Sequence, residues 1–133
     1  MITEKCRPML DRAFEKLTLH TSDYIINEYI SVAWNKPRRV SKAFRFSLVQ
    51  HADHDIQGRK VRVLKVNEED FSAAKAYLRK YPRVIPTLTD WTSLVLMARN
   101  DIWTILSLDH DFDRVRRIAE FRRVRRISDT DQM

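Results

Sequence analysis

Apolar residues recur at helical spacing in five stretches of the chain and run together or alternate in three more. Met9, Leu10, Ala13, Phe14 and Leu17 predict an amphipathic helix over residues 8–17. Residues 18–21 are short and β-compatible. Ser22 or Asp23 suits the cap of a helix over 24–34, whose inward stripe reads Ile25, Glu28, Tyr29 and Val32. A glutamate in such a stripe is costly unless it is paired or bound to a cation, and both readings stand at this point. Pro37 breaks the pattern. Helical spacing resumes over 40–51 with Val40, Ala43, Phe44 and Leu48, and Lys42 and Arg45 on the outer side. Residues 61–66 alternate apolar and basic, which predicts a strand near a sheet edge. Asn67 suits the cap of a helix over 68–81, with Phe71, Ala74 and Leu78 inward. Glu68, Glu69 and Asp70 fall in its first turn, where the helix dipole accounts for them.

Residues 85–113 carry the most chemistry. Thr89 and Asp90 open a helical run through Trp91, Leu94, Val95 and Ala98. Residues 102–108 read as a buried strand, of the kind covered on both faces in parallel sheets. Asp109 ends it, and Asp111 and Asp113 follow. A helix packed back on its strand would bring Asp90 and Asp109 to one sheet edge, where ligands of α/β proteins collect. Carboxylates gathered in this way suit a hard divalent cation. Residues 121–127 predict a final edge strand, with Phe121 and Val124 marking an incomplete alternation, and 128–133 a polar tail. Strands alternating with helices imply an α/β fold with a mainly parallel sheet, as a single domain over residues 1–127.

Composition narrows the options. The chain has 133 residues, 44% of them hydrophobic, enough for a proper core. No apolar run approaches the roughly 18–20 residues of a membrane helix, and no secretory signal opens the chain. The single cysteine, Cys6, cannot form an internal disulfide and reads as an ordinary thiol. A reducing, cytoplasmic setting follows. Gly58 is the one glycine, which excludes the glycine-rich loops that cradle nucleotide phosphates. His51, Asp53, His54 and Asp55 are ligand types without companions at zinc-site spacing, and read as a polar loop. Net charge is +7. Residues 114–126 hold seven arginines against Glu120, so that segment is +6 and the rest of the chain +1. The arginines suit a polyanion such as RNA, or else form a solvated basic end.

The segments TSDYIINEYI, VNEEDFSAA, LTDWTSLVLMARND and ILSLDHDFDR, in this order, resemble the PIN domain, closest to the VapC-type toxins of toxin–antitoxin pairs. The resemblance runs from about residue 18 to residue 113. It implies a three-layer α/β/α sandwich and an endoribonuclease dependent on Mg2+ or Mn2+ that hydrolyses RNA phosphodiesters. Glu28 matches the family's helix glutamate, Asp90 the aspartate opening the later helix and Asp109 the aspartate after the strand. These three are the implied catalytic metal ligands, with Asp111 a further one and Thr89 the small hydroxyl before Asp90. Arg38, Arg39, Arg114, Arg116 and Arg117, with Lys36, are the implied contacts to the RNA backbone. An antitoxin protein and a second copy of the chain are the implied partners.

One family feature has no counterpart. The family opens on a central apolar strand ending in an aspartate, whereas residues 1–6 are short and polar and Asp11 lies in a helical pattern. Loss of a central strand leaves neighbouring backbone groups unmatched. A truncated start or a decayed relative is favoured over a strand donated by another chain. A decayed relative would be a catalytically impaired or inactive module that binds RNA or an antitoxin.

Overall fold

The computed structural model describes residues 18–34, 50, 54 and 61–127. The chain divides into two compact units, residues 1–65 and 66–133.

In the first unit, strand β1 (His20–Ser22) leads directly into helix α1 (Asp23–Trp34). The junction is built by Ser22, which is buried and whose Oγ accepts a hydrogen bond from the Ile25 N–H at 3.1 Å. That bond satisfies one of the orphan donors of the first turn. Asp23 sits at the positive end of the helix dipole. Strand β2 (Arg62–Leu64) pairs parallel with β1, His20 opposite Arg62 and Ser22 opposite Leu64. Arg62 and Val63 are exposed and Leu64 half-buried, so the apolar–basic alternation does not separate a dry face from a wet one here. The helix expected over 8–17 lies outside the described residues, and so does that over 40–51 apart from Gln50, which is helical and exposed. Lys36, Arg38, Arg39 and the region of the expected missing strand also lie outside them. His54, expected in a polar loop, is exposed and helical.

In the second unit, helix α2 (Glu68–Lys80) packs on helix α3 (Leu88–Arg99). Asn67 caps α2 as its sequence suggests: its Oδ1 accepts from the Asp70 N–H at 2.8 Å, while Asp70 Oδ2 accepts from the Asn67 N–H at 3.1 Å. Strand β3 (Thr104–Leu106) follows, then the short helix α4 (Asp111–Arg114), two 3-10 turns (Val115–Arg117 and Ala119–Phe121) and strand β4 (Arg125–Ile127). β3 and β4 are parallel, Thr104 opposite Arg125 and Leu106 opposite Ile127. Both described strand pairs are thus parallel and linked through helices, which is an α/β arrangement.

Trp91 centres the core of this unit. It is fully buried, its indole N–H donates to the Ile85 carbonyl at 2.9 Å, and its ring stacks on Tyr77 at 5.4 Å between centroids. Phe121 leans against both rings, 5.0 Å from Tyr77 and 6.1 Å from Trp91. Burial pushes the Tyr77 phenol above its ordinary pKa, and the charges of Glu120 and Tyr81 push the same way.

Two expectations change here. The strand predicted over 102–108 is only three residues long and no better than half-buried, and Leu108 is exposed. Its hydrogen-bonded neighbour among the described residues is β4. The arginine-rich segment is also more than a solvated end. Val115, Ile118, Phe121 and Val124 are all buried, and they recur every third residue. The two 3-10 turns are separated by extended backbone at Ile118, so the repeat comes from successive short turns that each bury one apolar side chain, not from one continuous helix. The incomplete strand alternation at Phe121 and Val124 is the tail of this spine.

Candidate active site

Asp90 lies in the first turn of α3 and is half-buried. The helix begins one residue before Thr89, because Thr87 is its cap: the Thr87 Oγ1 accepts from the Asp90 N–H at 3.4 Å. The spacing of Thr87 and Asp90 is that of a capping pair, a signal present in the sequence that points three residues upstream of the aspartate. Thr89 is half-buried, and its carbonyl accepts from the hydroxyls of Thr92 at 2.5 Å and Ser93 at 3.3 Å.

At the far end of β3 the chain makes a tight polar loop. The Asp109 N–H donates to Ser107 Oγ at 3.0 Å, and Asp109 Oδ1 accepts from the Asp111 N–H at 2.9 Å. This Asx turn starts α4 and holds the exposed Asp109 carboxylate in one orientation. Asp111 is ion-paired with Arg114, which also donates to the Val84 carbonyl at 3.3 Å. A guanidinium therefore occupies an oxygen of Asp111 that a metal would need, and Arg114 is engaged within the protein. Arg116 and Arg117 lie exposed on the first 3-10 turn.

Arg126, which sequence reasoning passed over, clamps this loop. Its side chain is 12% exposed; Nη1–H donates to the Ser107 carbonyl at 3.0 Å, and Nε–H to both Asp113 carboxylate oxygens at 3.1 Å. Its Nη2 is 3.0 Å from His110 Nδ1, which is 3.3 Å from Asp113. Desolvation raises the Asp113 carboxyl, but the hydrogen bonds and charges of His110 and Arg126 together outweigh it and hold the pKa below the usual value.

Glu28 belongs to the first unit and is exposed on α1, not part of an inward apolar stripe. Among the described residues no three His, Cys, Asp or Glu side chains group closely enough to hold a metal ion.

A profile described as PIN domain matches residues 3–118, most of the chain. The chain belongs to the PIN domain family. No curated protein and no solved structure matches it. The match begins well before the segments that carry the resemblance in sequence and ends within the arginine-rich spine. PIN domains are generally nucleases that act on RNA and usually use divalent metals. In this PIN domain Asp90 and Asp109 offer hard carboxylate oxygens, the donor type such an ion takes. No helix among the described residues is long and apolar enough to cross a membrane.

Proposed function

We propose that this PIN domain is a Mg2+- or Mn2+-dependent endoribonuclease of the toxin–antitoxin type, acting in the cytoplasm and held in check by an antitoxin protein. The observation that carries the reading is the α3–β3 unit. It has a carboxylate in the first turn of its helix and another in the loop after its strand, in a chain of a nuclease family. In this reading the helix packs back along the strand that follows its short turn, which would bring the helix start and the strand end to one edge.

Asp90, Asp109 and Glu28 are the proposed metal ligands, with Asp111 joining once Arg114 releases it. An ion held by these carboxylates would supply activation of water for in-line attack on a phosphodiester and stabilisation of the charge that develops there. The Asx turn keeps the Asp109 carboxylate from swinging away, and Arg126 holds the loop that carries it. Arg116 and Arg117, with Lys36, Arg38 and Arg39, bind phosphates without reading sequence. Arg114, freed from Asp111, adds to them. RNA cleavage by the purified chain, with and without Mg2+ or Mn2+, tests the reading. Asp90→Asn should lower cleavage about a hundredfold or more. Equal cleavage by the variant defeats it.

A second reading is a PIN domain that binds RNA or an antitoxin without cutting. It is favoured by the absence of a three-acid group among the described residues and by the Asp111–Arg114 pair. It requires RNA binding unaffected by chelators and no cleavage with either metal.

A further inference from the structure

β3 has two ends, and the chemistry so far concerns only one. Because β3 and β4 are parallel, the residues entering them lie side by side at the other end. The Arg125 N–H donates to the Trp103 carbonyl at 2.7 Å, which fixes that neighbourhood. Three of its side chains form a stack. Asp101 takes positive φ (54°), which aspartate tolerates better than most residues, and its Oδ1 accepts from the Trp103 indole N–H at 2.6 Å. The Trp103 ring packs partly against the core. The Arg123 guanidinium lies over that ring, 4.7 Å from its centroid, with Nη1 3.6 Å from Asp101. Yet 69% of the Arg123 side chain remains open to solvent. Arg122 and Arg125 flank it and are exposed.

A guanidinium held over an indole presents its outer face as a stacking surface, and nucleic-acid bases stack on such planes. The indole and Asp101 fix the guanidinium before any ligand arrives, so little conformational freedom is lost on binding. The flanking arginines supply phosphate contacts. A partner recognised by charge alone, such as an acidic protein segment, has no need of the ring beneath the arginine. We propose that Arg122, Arg123 and Arg125, supported by Trp103 and Asp101, form a second contact for single-stranded RNA. In it Arg123 stacks on a base and its two neighbours hold the backbone. The proposal rests on RNA as the ligand of this PIN domain. It adds an anchor at the end of β3 opposite the Asp109 loop, for the strand beyond the cleaved bond.

The test is fluorescence anisotropy of a short oligouridine with the full chain in chelator, so that cleavage does not intervene. Arg123→Lys keeps the charge and loses the plane, and should weaken binding about fivefold or more. An abasic phosphate chain of the same length should bind both proteins alike. The double variant Arg122→Ser, Arg125→Ser should reduce the slope of log affinity against log salt by about 0.7 for each phosphate no longer held. Unchanged oligouridine binding in both variants overturns the anchor, and so does a wild-type chain that binds no oligouridine or binds polyglutamate equally well. Binding that depends on Arg123, in a chain that cleaves nothing with either metal, supports the anchor and defeats only the nuclease reading.

Discussion

Arg99, at the last turn of α3, donates from Nε to Asp70 Oδ1 at 2.9 Å and from Nη2 to Asp70 Oδ2 at 2.8 Å. Asp70 is 3% exposed and also closes the capping box of α2. One carboxylate thus caps one helix and ties it to the end of the next. The bidentate fork restrains α3 at the end away from Asp90. Asp70→Ala removes the tie and half of the capping box, and should cost about 1–3 kcal/mol in urea unfolding. Arg99 is partly exposed, so solvent screening keeps the loss to that range. Arg99→Ala should cost less, and a double-mutant cycle should show positive coupling between the two sites.

The Asp109 loop separates charge from shape. Asp109→Asn retains an oxygen to accept from the Asp111 N–H, so the Asx turn and the stability should survive. Cleavage should nonetheless fall about a hundredfold or more, because the negative charge is gone. Melting temperature and RNA cleavage measured on the same sample check both halves. A variant that cuts at the wild-type rate removes Asp109 from the site.

Arg126 should behave as a positioning residue. Arg126→Ala leaves the Ser107 carbonyl and Asp113 without their clamp, at a cost of about 1–3 kcal/mol. Arg126→Lys keeps the charge but cannot span the two partners with one planar fork, so cleavage should stay impaired. Amide exchange over residues 107–113 should accelerate in both variants.

Asp113 predicts a small acid sensitivity. Its folded-state pKa is lowered by His110 and Arg126, so it contributes stability above its unfolded pKa. That contribution is lost as pH falls below about 4 and on through the lower folded value. Asp113 is about half exposed, so the effect is modest. Thermal melts between about pH 6 and pH 3 should show a shallower acid decline for Asp113→Asn than for the wild type. Parallel curves would contradict it.

Core packing gives the largest expected stability effect. Trp91→Ala opens a cavity beneath Tyr77 and Phe121 and strands the Ile85 carbonyl, at about 3–5 kcal/mol. Denaturant unfolding checks it. Trp91→Phe should recover part of the loss, because the stack persists without the hydrogen bond.

Ser22, Asn67 and the apolar spacing of α2 and α3 were legible in the linear chain, and so were the α/β class and the PIN resemblance. Caps and helical faces join residues three or four apart, so the sequence holds both partners in view. The short β3, the exposure of Glu28 and the buried every-third-residue spine of 115–124 were not legible. Burial depends on what covers a segment, and a period of three looks like a faulty strand until the backbone is seen to run as successive short turns.

By itself, then, the sequence determined where helices begin, which acids stand at their starts and at a strand end, and which family the chain is drawn from. Only the tertiary structure decided what those side chains do. Arg99 finds Asp70 29 residues away, Arg126 finds Asp113 13 residues away, and Arg123 settles on Trp103. Such partners are chosen by the close approach of packed elements and not by spacing along the chain, because charge and stacking act over a few ångströms whatever the length of backbone between them.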